Sequence, residues 1–316
     1  MRWSTVTEIA KNLGMNFGAR PALFRDSFLV TDKMKDLESV LKKFLSTQKV
    51  LASEEILTRL AYEVCEDAYN ENICVLELRY APSFIHDGHS NLTFEKIHKS
   101  FVKGIEMAEK KFGMAVGLIG IVQRTKSLAE AKKAMDFFIA HKGDYVAVDL
   151  ADNEDGFDPK PFAPLFQSAK KAGLHVTIHS GETPSPQAGD KMIDSIELLG
   201  AERIGHGVQC IHHPAVMEKL KLDGIALEVC PLSNWLTQAF PTFETHPLKS
   251  LIKNGVPVTL CSDDPGIFGS TLTDDYDIAQ KYHGLGLDDF KRLNKLAFKK
   301  SFIPDAKKRL WTNVFN

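Results

Sequence analysis

Seven short apolar runs, each followed by sequence of helical period, confine this chain to few folds. They lie at residues 73–79, 114–123, 145–150, 174–179, 203–206, 225–230 and 256–261. Each is rich in Val, Ile and Leu, and most lack polar alternation, as strands do when a parallel sheet buries both their faces. Helical patterns fill the intervals at 53–69, 94–111, 128–141, 161–172, 191–199 and 214–222. Lys171-Ala172-Gly173 and Lys253-Asn254-Gly255 read as helix ends with glycine just past the last turn. No repeat, low-complexity tract or linker breaks the series, so residues 1–316 read as one domain.

Seven strands are one short of a closed eight-stranded β/α barrel, and only helical sequence precedes the first, at 5–13 and 36–44. An open doubly wound sheet also accommodates seven strands. Functional groups at the ends of several nonadjacent strands favour the barrel. A chain of 316 residues with 44% hydrophobic composition can bury a full core. The formal charge of −2 provides no basic footprint for a polynucleotide, which leaves small neutral or modestly charged ligands. No run is long enough to span a bilayer, and the start lacks a signal peptide's apolar stretch; the expectation is a cytoplasmic protein. Five widely spaced cysteines with no CxxC pair suggest neither a disulfide framework nor a thiolate zinc knuckle.

The chemistry gathers where the runs stop. The run before Cys261 leads into Ser262-Asp263-Asp264-Pro265, and adjacent carboxylates are costly to place unless a metal or a basic substrate holds them. Two other runs end in His179-Ser180-Gly181-Glu182 and Gly205-His206-Gly207. An imidazole and a carboxylate at strand ends can ligate zinc, so His179 and Asp263 are the metal candidates. Glu182 can protonate a ring nitrogen, and His206 can hold and polarise an attacking water. Asp264 can exchange a hydrogen bond with a basic nitrogen of the substrate. Each has a plainer reading: a buried structural histidine, a helix-start glutamate, an Asp-Asp-Pro-Gly turn. Their combination favours a site. His175, His212, His213 and His246 have no such support and suit outward or structural roles, while His86 and His89 lie in a polar stretch that reads as a loop.

Taken in order, several segments resemble the adenosine deaminase family. They are Leu76-Glu77-Leu78-Arg79-Tyr80-Ala81-Pro82, Val148-Asp149-Leu150-Ala151, His179-Ser180-Gly181-Glu182, Arg203-Ile204-Gly205-His206-Gly207, Glu228-Val229-Cys230-Pro231-Leu232-Ser233-Asn234 and Ser262-Asp263-Asp264-Pro265. The resemblance covers essentially the whole chain. It implies a (β/α)8 barrel with one catalytic Zn2+ that hydrolyses adenosine or 2'-deoxyadenosine to inosine or 2'-deoxyinosine plus ammonia. By motif, it makes His179 and Asp263 zinc ligands and Glu182 the proton donor to purine N1. His206 becomes the residue that orients and deprotonates the attacking water, and Asp264 the partner of N7. Metal-activated attack on the amino-bearing carbon is general base-deaminase logic.

Two departures from the family pattern set further expectations. The family's first strand ends in a His-x-His-Leu-Asp-Gly motif that supplies two more zinc ligands, and Met1-Arg2-Trp3 stands where that strand has already ended. The chain is therefore expected to hold seven of eight strands, through a misplaced start or a shortened chain. Its zinc should be weak and its activity poor beside an upstream-extended form. Asp152 follows Asp149-Leu150-Ala151 where many relatives have a glycine whose N–H approaches purine N3. An aspartate there can crowd the wall or reach another substrate group, which keeps open deamination of adenine, 6-amino-6-deoxyfutalosine or methylthioadenosine. Trp235-Leu236-Thr237 looks nearer the nucleoside branch. The rivals are a dinuclear amidohydrolase, for which no strand-end lysine offers itself, and a noncatalytic purine-binding protein. A monomer or weak homo-oligomer is expected.

Overall fold

The computed structural model describes residues 1–15 and 21–315. Its centre is one parallel sheet with strands in chain order: β1 (Val75–Tyr80), β2 (Ala115–Gln123), β3 (Tyr145–Ala151), β4 (His175–Ser180), β5 (Arg203–His206), β6 (Ala226–Val229) and β7 (Val258–Leu260). The sheet curls through 231°. Among the described residues no strand joins β7 back to β1, so seven of a barrel's eight positions are filled. All seven expected strands are present, with ends displaced by up to two residues. This sequential order rules out the doubly wound alternative, whose strand order reverses at a switch point.

The connecting helices form where local chemistry starts and stops them. Ser53, Thr93 and Ser127 each turn a hydroxyl to the third amide of the helices Glu54–Asn70, Phe94–Phe112 and Leu128–Ala140. Gly173 ends Ala163–Ala172 at φ 94°, a conformation glycine adopts without strain. The outward strand faces and the helices enclose the apolar core, where Leu150, Ile178 and Ile204 are fully buried. Gly120 of β2 leaves room for the ring of Phe138, which a Cβ would meet at 2.6 Å. The stretch read as a loop around His86 is instead the short helix Pro82–Gly88. Pro82 at its first turn is the signal for that helix.

The inward faces of β1, β3, β5 and β6 carry charges. Arg79 of β1 reaches Asp149 of β3 at 2.7 Å and Glu228 of β6 at 2.8 Å. Arg203 of β5 pairs with Glu228 at 2.7 Å and Glu77 of β1 at 2.6 Å. Thr177 of β4 adds its hydroxyl to Glu228 at 3.1 Å. At the strands' N-terminal end the segment after helix Leu287–Lys300 closes the interior. The Lys300 carbonyl accepts from Arg203, the Ser301 hydroxyl donates to Glu77, and the Phe302 ring lies 3.8 Å from the Arg203 guanidinium carbon. These contacts tie β1, β3, β5 and β6 across the interior as well as along the sheet.

Burial alone raises the Glu228 carboxyl, but Arg79 and Arg203 outweigh it and hold the group far below the usual carboxylate range. A depressed folded-state pKa stabilises above the unfolded value and is lost as pH falls through the folded one. Glu228→Gln should therefore cost about 3 kcal/mol at pH 7 in urea unfolding. The gap from wild type should narrow as pH falls below about 4. Equal stability at pH 7 would show that these charges do not hold the interior together.

Candidate active site

At the C-terminal end of the sheet, β4, β5 and the turn after β7 bring three chemical groups together. Ligand atoms of His179, His206 and Asp263 lie within 4.8 Å of one another, and the two imidazole centroids are 5.2 Å apart. Glu182, two residues past β4, joins them, with Oε2 3.6 Å from His206 Nε2; Asp263 Oδ2 is 3.9 Å from the same nitrogen. The arrangement is held against local backbone preference. Five non-glycine residues among those described have positive φ, and three of them are Asp152 (84°), His206 (59°) and Asp263 (53°) at or just past strand ends of the site. Such conformations cost on the order of 1–3 kcal/mol each and persist only where the surroundings enforce them.

Each group has an anchor. His179 Nδ1 lies 2.8 Å from Asp149 Oδ2 and 3.0 Å from Oδ1, so it donates its proton there and leaves Nε2 with a free lone pair. Burial raises Asp149, but His179 and Arg79 outweigh it and hold the carboxyl below its ordinary value, available as an acceptor. Asp263 Oδ2 accepts the Ser233 hydroxyl at 2.7 Å. Glu182 is fixed through side chain and backbone. Its Oε1 accepts the Thr237 hydroxyl at 2.9 Å, and its carbonyl accepts Gln209 Nε2 at 3.1 Å. The amides on either side, of Gly181 and Thr183, both donate to the buried carboxylate of Glu154.

Electrostatics separates the carboxyls. Burial pushes Glu182 above the ordinary glutamate range; His206 opposes this, while Asp263 and Glu154 add to it. Asp264 is raised well above the usual range by burial and by its neighbour Asp263. Burial lowers His206, and the negative charge of Glu182 and Asp263 outweighs it to give a net rise. Glu182 and Asp264 are thus the groups suited to carry protons, and Asp263 the one placed to face a cation. Asp152 accepts from Gln123 Nε2 at 3.1 Å, from the Thr125 hydroxyl and from the Asn153 amide at 2.7 Å. Protein donors therefore already occupy its carboxylate. An open cleft reaches Glu182 between Lys35, Leu37, Pro184 and Gln238.

The donor set suits a divalent cation: one imidazole with an oriented lone pair and one carboxylate, with a second imidazole alongside. All six candidate residues from the sequence, His179, Glu182, His206, Asp263, Asp264 and Asp152, lie at this end of the sheet. Asp149, Glu154, Asn234, Thr237 and Gln209 escaped the sequence reading as site residues. Asp149 did leave a signal, a lone carboxylate inside an apolar strand. His175 is at the opposite end of β4, paired with Glu202 and stacked on Phe302. His86 and His89 bond to the Leu92 and Gln48 carbonyls and are no ligand pair.

Comparison with known proteins agrees with this geometry. The family profile described as adenosine deaminase matches residues 1–315. An adenosine deaminase of Vibrio cholerae is 33% identical over 308 residues, covering 96% of this chain and 91% of its own. One of Plasmodium knowlesi is 33% identical over 282 residues, covering 88% and 76%. Among solved structures, an adenine deaminase of Arthrobacter aurescens has a TM-score of 0.89 at 25% identity, covering 98% of this chain and 92% of that one. The N6-mAMP deaminase of Arabidopsis has 0.85 at 26%, covering 100% and 92%.

Asp149→Asn should weaken binding of Zn2+ by about 10–100-fold in competition with a chromogenic chelator, because the His179 lone pair would no longer be oriented. Unchanged affinity would mean that His179 does not hold the cation.

Proposed function

The chain belongs to the adenosine deaminase family of metal-dependent hydrolases, and from that premise we propose that it hydrolyses the exocyclic amino group of an adenine-type purine. Water and the aminopurine give the oxopurine and ammonia. The observation that carries this reading is the convergence of His179, His206 and Asp263 beside a buried Glu182 of raised pKa. The solved-structure likenesses to an adenine deaminase and an N6-mAMP deaminase favour adenine or a modified adenosine as substrate. Adenosine and 2'-deoxyadenosine, the substrates in the curated relatives' names or implied by the motifs, stand beside them.

In this reading His179 and Asp263 hold the cation. Bound Zn2+ would supply Lewis acidity that brings the pKa of water near 7 and makes a nucleophile available at neutral pH. The remaining work falls to side chains of this chain. Burial shifts Glu182 towards its protonated form, the form that delivers a proton to N1 as the amino-bearing carbon is attacked. Burial and Asp263 shift Asp264 towards its protonated form, which donates to the N7 lone pair; an ionised carboxylate there would repel it. His206 holds the attacking oxygen. The Asp152 amide faces N3, its own carboxylate being engaged by Gln123 and Thr125.

The test is ammonia release by zinc-loaded protein from adenine, adenosine, 2'-deoxyadenosine, N6-methyl-AMP, methylthioadenosine and 6-amino-6-deoxyfutalosine. Turnover of at least one is expected, lost with a chelator and restored by zinc. Glu182→Gln should lower kcat by about 10³-fold with little change in KM. Purine binding without ammonia release from any compound would replace this reading with a noncatalytic purine-binding protein.

A further inference from the structure

Behind His206, away from the cleft, runs a file of buried polar groups with no part in the reaction described above. The Leu248 amide lies 3.2 Å from His246 Nδ1, His246 Nε2 lies 3.1 Å from Asn234 Oδ1, and Asn234 Nδ2 lies 3.1 Å from His206 Nδ1. His246, Asn234 and His206 are 4%, 0% and 3% exposed, so bulk water reaches none of these contacts. We infer that His246 and Asn234 are positioning residues that keep the proton of neutral His206 on Nε2, so that His206 faces the cation site as a hydrogen-bond donor and not as a ligand.

The direction of every bond follows from the first. A backbone amide can only donate, so His246 Nδ1 carries a lone pair and its ring proton must sit on Nε2. Burial pushes His246 down to about 3, so the ring is neutral at working pH. Its Nε2–H requires an acceptor, and the Asn234 carbonyl oxygen is there. That choice turns the Asn234 NH2 to the other side, where it donates to His206 Nδ1. Reversing the amide would set two donors against each other at His246 and leave a buried pair unsatisfied. A lone pair on His206 Nδ1 places the proton of the neutral ring on Nε2.

This distinguishes three groups that are equal by distance alone. A cation needs lone pairs, and His179 and Asp263 provide them, since His179 spends its proton on Asp149. His206 presents a hydrogen, with Glu182 Oε2 at 3.6 Å and Asp263 Oδ2 at 3.9 Å, too far for direct bonds but suited to an oxygen held among them. The catalytic consequence rests on the deaminase reading; the tautomer does not.

The experiment is long-range ¹H–¹⁵N NMR of the full chain labelled at histidine. At a pH high enough for both rings to be neutral, the wild type should show His206 and His246 both with unprotonated Nδ1. Asn234→Asp puts an acceptor on both sides, so the His206 proton should move to Nδ1. In the zinc-loaded protein kcat should then fall at least about 100-fold, with KM within about threefold. His246→Gln retains an amide donor for Asn234 and should keep the wild-type pattern, whereas His246→Leu should give mixed tautomers at His206. A neutral His206 ring with its proton on Nδ1 in the wild type would overturn the inference, as would an unchanged pattern in folded Asn234→Asp. The wild-type spectrum decides even if a variant misfolds. Absence of turnover on every purine would remove the deaminase reading and leave the tautomer result intact.

Discussion

Arg79 is the residue on which both the interior and the site depend. It bridges Asp149 and Glu228 at 2.7 and 2.8 Å, and through Asp149 it sets the charge on which His179 rests. Buried charges are expensive unless paired and hydrogen-bonded, so an interior of this kind tolerates little rearrangement. Most barrels fill their centre with branched aliphatic layers. Here Glu77, Arg203, Glu228, Arg79 and Asp149 form a continuous series from the Ser301–Phe302 closure to the candidate metal ligand. Strand packing and ligand orientation thus share the same carboxylates.

A second constraint works in the opposite sense. Asp152, His206 and Asp263 all sit in left-handed backbone conformations that cost energy locally. The rest of the site repays that strain with contacts few free loops could offer: Ser233 to Asp263, Glu154 to both amides flanking Glu182, and the file from Leu248 through His246 and Asn234 to His206. The reacting groups lie at strand ends and in short turns, and the groups that aim them lie in the interior or on neighbouring turns. This division allows the Glu182 carboxyl to stay buried without loosening the frame.

Parts of this arrangement are legible in the sequence because they are local. Parallel strands announce themselves as unbroken apolar runs, and helix starts as Ser or Thr followed by a periodic stripe. Chemistry at a strand end is visible where a run breaks into His-Ser-Gly-Glu or Ser-Asp-Asp-Pro. Helix Pro82–Gly88 was hidden by its polar composition, although Pro82 marks its first turn. The partners of the site were illegible for a different reason. Asp149 and His179 are 30 residues apart, and Thr237 and Glu182 are 55 apart, so only the curl of the sheet makes them neighbours. His246, with nothing beside it in sequence to suggest a role, turns out to lie one amide away from His206.

The sequence by itself determined which side chains end which strands, since period and strand termination depend on residues within a few positions of each other. Only the tertiary structure decided what those side chains are. Protonation, tautomer and orientation come from burial and from partners far along the chain. A histidine becomes a lone-pair donor beside Asp149 and a hydrogen donor beside Asn234, and neither outcome is written in the histidine's own neighbourhood.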